Sequence, residues 1–251
     1  MGGKFAIATG DIQYPLALIT SNLILVPTPL SVSSSSYRAL YAALHKDASF
    51  CEMGFGDHFP ARAWTDQETY QTITGRDINV AWRNRGLGDF AVGLWSEDVE
   101  KELVGKIGTG KEISAPNFTE KLRRLDMSET SPSQLEAALN NIEWVGYAGI
   151  REGPEPDTAS LESPVPWEER VELRYGVSPD HWGKAIAFAS AAAVMNWGAA
   201  ERGVTKFIAE TERANTRSGR VLERLGFVRL EEVKYWKEES QVEWEMSTRV
   251  Q

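Results

Sequence analysis

Gly183 stands where an alternating run of residues gives way to a run rich in alanine, and such a junction is suited to holding an anion. Upstream, Val171, Leu173, Tyr175 and Val177 alternate with Glu172, Arg174 and Gly176, the period of a strand with two unlike faces. Pro179 and Asp180 break that strand. Downstream, KAIAFASAAAVMNW contains no proline and favours a helix. A strand feeding a helix through a glycine turn leaves the first helical N–H groups without intrahelical partners. The helix dipole adds positive charge at the same place, so a pyrophosphate is a natural guest. Alone, a strand–glycine–helix junction is more often an ordinary turn.

A second stretch, AETERANTRSGRVLERLGF at residues 209–227, changes that balance. The two together resemble the GNAT superfamily of acyl-CoA N-acyltransferases, in particular its ribosomal-protein N-terminal acetyltransferase-like branch. Val177, Pro179, Trp182, Gly183, Lys184 and Ala187 fall on the signature V-x-P-x-x-W-G-K-G-x-A, with Ala185 where the family usually has glycine. Asn215, Ser218, Arg220, Val221, Leu222, Glu223, Leu225, Gly226 and Phe227 fall on N-x-x-S-x-R-V-L-E-K-L-G-F. The resemblance is good over residues 171–246, plausible at 23–30, and poor between.

The resemblance implies an α/β fold: a mixed, mostly antiparallel twisted sheet of about seven strands, helices on both faces, and a central V-shaped splay. It implies acetyl-CoA as acyl donor. The N–H groups of Gly183, Lys184, Ala185 and Ala187 would surround the pyrophosphate beside Trp182. The backbone near Val177 would pair with the pantetheine arm, which requires the central strand to splay from the strand at 207–211. Asn215 would reach the pantetheine, although asparagine there is also a helix cap or turn residue. Ser218 is divided evenly between cap and cofactor contact. Arg220 either meets a phosphate or lies on a solvated face.

N-acetylation needs a positioned thioester and a deprotonated amine. Alkyl amines have a pKa near 10 and α-amines near 8, so a base or water relay must take a proton. Much of the rate gain is orientation. Glu172 is the nominee for the base, with an ion pair to Arg174 as its equally good alternative reading. Tyr235 or Tyr175 is the nominee for the acid, although strand tyrosines are more often packing. His181 reads as a turn residue, and His45 and His58 have no companions in the sequence. Trp64, Trp167 and Trp236 fall where a small acceptor pocket would be lined. No activated Cys or Ser constellation appears, so the expected reaction is direct transfer in a ternary complex. The acceptor is a small-molecule amine or a protein N-terminus. The rival reading is a non-catalytic CoA-binding or interaction protein on the same fold.

Holding these groups in place falls to the rest of the chain. Its 251 residues suit a single domain, 1–251. With 27 basic and 36 acidic residues the net charge is −9, which argues against nucleic acid as a partner and is compatible with an amine. One cysteine, Cys51, excludes an intrachain disulfide and a cysteine-built zinc site, and no metal site is expected. No apolar run has membrane-spanning length, Ala6 spoils a myristoylation signal, and no secretory signal is evident. A cytoplasmic monomer or homodimer is the expectation. No G-x-G-x-x-G or G-x-x-x-x-G-K-[ST] is present.

In order, residues 1–20 read as irregular and 23–27 as a strand. The serines at 33–36 cap a helix through Tyr37, Leu40, Tyr41 and Leu44. Thr65 and Glu68 form a capping box for a helix reaching about Arg85, with Gly75 a weak point. Strands are expected at 89–95, 103–108, 144–151 and 205–211. Residues 111–142 read as an inserted helical segment with helices at 118–126 and 133–141, a surface decoration, with a lid over the amine site as the alternative reading. Residues 153–168 read as a proline-rich loop that could border the acceptor site. A short helix at 218–225 and a hairpin of 228–237 with 241–249 complete the chain.

Overall fold

The computed structural model describes residues 15–96, 110–156, 164–236 and 238–248. The apolar run LALI is extended as β1 (Leu16–Ile19), in a segment expected to be irregular. All four residues are buried, so no alternation marks the strand in the sequence. It turns into β2 (Leu23–Pro27), and Pro27 leads into the single turn α1 (Thr28–Ser31). Ser34 caps α2 (Ser35–Lys46) by accepting from the Tyr37 N–H. Asp47 ends that helix and caps α3 (Ala48–Phe55) through the Phe50 N–H, at 2.7 Å.

The Thr65–Glu68 capping box opens α4 (Asp66–Ile73). The helix then widens into a π-helix (Thr74–Trp82), and left-handed Gly86 (φ 62°) ends the run. Next come β3 (Asp89–Leu94), β4 (Lys111–Ile113), β5 (Leu122–Asp126), α5 (Pro132–Asn140) and β6 (Trp144–Glu152). The remainder is β7 (Val171–Val177), α6 (Ile186–Arg202), β8 (Lys206–Glu212), α7 (Thr216–Arg224), β9 (Val228–Arg229) and β10 (Gln241–Ser247).

Two expectations are corrected here. Residues 118–126 do not form a helix: β5 pairs antiparallel with β1 from Leu16 to Ile19, and that pairing outweighs its local pattern. The terminal hairpin is short on one side. The Glu243 carboxylate accepts from the N–H groups of Lys234, Tyr235 and Trp236, which curls that segment out of the ladder after Arg229. The strand expected at 103–108 lies outside the described residues, as does the middle of the 153–168 loop.

The strands form one ten-stranded sheet, in the order β4-β5-β1-β2-β3-β6-β7-β8-β10-β9, rather than seven. Every pairing is antiparallel except β7 with β8. One face packs on α6, where Trp197, Phe90 and Phe207 are almost fully buried. The other packs on α2 and α5 through Tyr37, Ile24 and Leu139. The parallel pair controls the centre. It holds register only at Val171↔Phe207 and Glu172↔Ile208, after which the strands part. The V-shaped splay is therefore present, with its closed end at Glu172.

Candidate active site

A groove of about 650 Å³ runs along the splay. Its walls come from α3, β6, β7, the turn before α6, and α7. Tyr175, Gly176 and Val177 form the strand side. The Ser178 N–H donates to the Val145 carbonyl across from β6. In an antiparallel ladder this makes Val177 a position whose own N–H and C=O point away from β6, into the splay. There the Val177 carbonyl accepts the Trp182 indole N–H at 2.8 Å, and its N–H is open to a guest. At Gly176 a Cβ would stand 2.6 Å from Tyr147 and 2.8 Å from Phe50, so glycine lets those rings close on the strand.

The turn before α6 has the form expected of an anion site. Gly183 has φ +79° with nothing within 4 Å of where a Cβ would lie. Ala185 is the N-cap of α6 and is left-handed, φ +58°, with no side-chain cap. It takes the conformation glycine favours, at a cost of about 1–2 kcal/mol for an L-residue. Ala189 is the first residue whose N–H reaches a carbonyl, that of Ala185. The N–H groups of residues 183–188 have no acceptor among the described residues. Arg217, Arg220 and Arg224, on one face of α7, line the same end. Arg217 lies 4.9 Å over Trp182, and Arg224 lies 4.5 Å over Phe188. Backbone donors and three cations thus converge on a place that fits a pyrophosphate.

The groove brings together Val177, Trp182, Gly183, Ala185, Ala187, Asn215 and Ser218. Lys184 is exposed and outside the lining. Asn215 is an N-cap, accepting from the Ser218 N–H at 3.0 Å, and its amide donates to the Met53 carbonyl at 2.8 Å. It therefore ties α7 to α3 at the groove wall. The Tyr175 hydroxyl donates to the Ser218 carbonyl at 3.2 Å, and burial pushes its pKa up to about 12. His181 also lines the groove, 3.6 Å from Glu143.

Of the nominated catalytic residues, Tyr175 lines the groove while Glu172 and Tyr235 do not. Glu172 sits at the closed end of the splay, 5% exposed, in a two-bond ion pair with Arg151 at 2.7 and 2.8 Å. Its partner is across the ladder on β6 and is not Arg174, which lies near Asp89 at 3.5 Å. Tyr235 is 6% exposed with its hydroxyl 3.3 Å from Glu245 on β10. The sequence reading missed Glu210, on β8 two residues beyond the last β7 pairing. Burial, then Glu172, pushes its carboxyl up to about 7. Its signal was an acid at strand spacing on the open arm of the splay.

A smaller cavity of about 170 Å³ lies on the far side of Phe55, which lines both spaces. Tyr41, His45, Phe55, Phe59 and Trp64 contribute rings to it, and Arg76, Asp89, Arg151 and Arg174 contribute charge. Of the three tryptophans expected at an acceptor pocket, only Trp64 is here. Trp167 lies under Arg85 at 5.6 Å, and Trp236 lies 5.8 Å from the Tyr235 ring. The 111–142 segment borders neither ring wall nor cavity. Asn117 and Phe118 lie beside Phe188, and the Ala115 N–H donates to Asn196 on α6. Among the described residues no three metal-ligating side chains cluster, and no helix is long and apolar enough to cross a membrane.

A family model described as the acetyltransferase (GNAT) domain matches residues 117–228, which include the turn before α6 and all of α7. No curated protein matches the chain in sequence. Among solved structures, an acetyltransferase from Agrobacterium tumefaciens str. C58 superposes with a TM-score of 0.52 at 16% identity, covering 92% of this chain and 93% of that one. RimL, a ribosomal L7/L12 alpha-N-protein acetyltransferase in complex with coenzyme A, gives 0.53 at 12% identity, covering 91% and 96%. A GNAT-family acetyltransferase from Bordetella pertussis, described as putative, gives 0.50 at 16% identity, covering 92% and 99%. The fold is that of the GNAT acetyltransferases.

Proposed function

We propose that the protein is an acetyl-CoA-dependent N-acetyltransferase that moves the acetyl group to a primary amine by direct transfer in a ternary complex. The observation that carries this reading is the splay lying beside a run of unpaired N–H groups, on a fold shared with a coenzyme A complex. The N–H groups of Gly183, Ala185 and Ala187 hold the pyrophosphate with Arg217, Arg220 and Arg224. The Val177 N–H pairs with the pantetheine arm. Bound acetyl-CoA supplies the electrophilic acyl carbon and a thiolate leaving group.

Tyr175 replaces Tyr235 as the proposed acid. It lines the groove and carries its proton at neutral pH, whereas Tyr235 lies outside the lining. Glu210 replaces Glu172 as the proposed base: it too lies outside the groove lining and would act through a water relay, but its carboxyl, near 7, accepts a proton at neutral pH and stands on the open arm of the splay, while Glu172 is held by Arg151. Cys51 is buried and burial raises its thiol pKa, which supports direct transfer over a cysteine intermediate. The Asn215–Phe227 motif and the RimL likeness support the ribosomal-protein-type branch.

Calorimetric titration with acetyl-CoA, with NADH and ATP as controls, tests the donor site; selective micromolar binding is expected. Thiol release across a panel of amines then tests turnover. Glu210→Gln is expected to lower kcat by about a hundredfold and remove an inflection near pH 7. Acetyl-CoA binding with no thiol release for any amine would leave a CoA-binding protein without turnover.

A further inference from the structure

The cavity behind Phe55 defines a class of acceptor, and this step rests on the acetyl-transfer reading above. His45 is the informative residue. It is 5% exposed, and neither ring nitrogen has a hydrogen-bond partner among the described residues. Buried polar atoms of this kind are costly unless a guest meets them. The ring is stacked on Trp64 at 4.5 Å and 2°, and faces Phe55 at 5.7 Å and 14°. Phe59 stands edge-on to both Phe55 and Trp64. These rings form a flat-sided wall in which the His45 ring nitrogens are enclosed. The volume of about 170 Å³ is the size of a space that accommodates one six-membered ring, since a cavity of about 150 Å³ holds benzene.

Charge selects the rest of the guest. Asp89 lies near Arg174, and Glu172 holds Arg151. Burial and the neighbouring Asp89 raise the Asp77 pKa well above the carboxylate range, so it keeps its proton at neutral pH. Arg76 has no carboxylate partner among the described residues, and its guanidinium lies 6.0 Å from the Phe59 ring. After burial, the guanidiniums of Arg174, Arg76 and Arg62 lower the His45 pKa to about 4; Arg174 is paired with Asp89 and Arg62 with Glu68 at 2.6 Å, which leaves Arg76 as the cation without a carboxylate among the described residues. A chain of net charge −9 therefore places a locally positive field at this wall. Such a field disfavours a polyamine, favours the neutral form of an amine, and attracts a carboxylate at the Arg76 rim.

We propose that the cavity takes the ring of a small aromatic amino acid, with a His45 ring nitrogen and Arg76 recognising its amine and carboxylate ends. The acceptor nitrogen bonds to the acetyl carbon as the carbon–sulfur bond breaks. The proton lost from nitrogen ends on the released thiol, so acetyl-CoA and amino acid give N-acetyl amino acid and CoA. A peptide lacks a free carboxylate at the rim and is excluded by the same contact.

The test is calorimetry of the full chain with CoA present, titrating phenylalanine, phenylalaninamide, 1,4-diaminobutane and a phenylalanine-led tripeptide. Phenylalanine is expected to bind on the order of tenfold tighter than its amide, as the loss of one charge-assisted contact requires. Arg76→Gln, at an exposed position, is expected to remove that ratio, and circular dichroism checks its fold. Acetyl transfer is expected to follow the same order. No phenylalanine binding, or equal binding of the amide, diamine or tripeptide, would overturn the inference. Acetyl-CoA binding with turnover on the tripeptide alone would overturn it while leaving the acetyltransferase reading intact. Retention of the phenylalanine-to-amide ratio without acetyl-CoA binding would overturn that reading and support the cavity assignment.

Discussion

The groove and the cavity meet at one ring, Phe55, and are built from opposite materials. The anion end of the groove depends on main chain: left-handed Gly183 and Ala185, the free N–H groups of 183–188, and the open edge of β7. Side chains there add charge or fill space. The cavity depends on side chains throughout, its rings coming from α2, α3 and the loop before α4, its charges from the π-helix, β3, β6 and β7. A main-chain site binds what every member of a chemical class shares, here a phosphate, and tolerates substitution. A side-chain site discriminates, and each of its parts can be changed alone.

Substitutions put that contrast at risk. The largest effect is expected at Gly183→Pro. Proline cannot adopt φ +79° and removes an N–H, so acetyl-CoA affinity should fall by about a hundredfold or more by calorimetry. Survival of binding would show that the arginines, not the main chain, hold the phosphate. Next is His45. The unfolded chain takes up its proton below about pH 6.5 and the folded protein only below about 4, so its stabilising effect is complete above 6.5 and is lost as pH falls toward 4. Urea unfolding of wild type and His45→Gln should differ in their change between those pH values by up to about 3 kcal/mol. No difference would mean that the wall is wet.

Smaller effects belong to the groove's side chains. Arg217→Ala, Arg220→Ala and Arg224→Ala should each weaken acetyl-CoA by about threefold to tenfold, with the loss shrinking as salt is raised. Smallest is Ala185→Gly. Relief of the left-handed alanine exceeds the entropy cost of glycine only slightly, so unfolding should become harder by about 0.5 kcal/mol, read as a small rise in Tm.

The same contrast explains what the sequence disclosed. The groove was legible because its parts are contiguous: residues 177–187 form one turn and 215–227 one capped helix. The splay needed the family resemblance, since β7 and β8 look alike whether they stay paired or part. The cavity was hidden because its residues span positions 28 to 174. His45 has Tyr41 one turn back on its own helix, and it acquires Phe50, Phe55, Phe59 and Trp64 only when α2, α3 and the following loop pack together. Among the strands, β2, β6 and β7 showed themselves by apolar runs or alternation. β5 was obscured because LRRLD carries apolar residues three apart, and only pairing with β1 makes it a strand. Glu172 was placed on the right strand, but its partner Arg151 comes from another; Tyr235, expected in a strand, lies in the curled segment after β9, beside Glu245 of β10.

The widened turns after Ile73 carry one more consequence. The Arg83 N–H reaches back to the Ile78 carbonyl, five residues earlier, where a regular helix would reach four. Asp77, seated in this stretch, accepts from the Asp89 N–H and bonds to the Thr28 hydroxyl, which also accepts from the Trp82 indole. With ordinary winding at about 100° per residue, Asp77 and Trp82, five residues apart, would stand about 140° apart around the helix. The segment's two anchors, Asp77 and Trp82, could then no longer both face Thr28. The seating of Asp77 in the cavity wall is thus set by the winding of one helix.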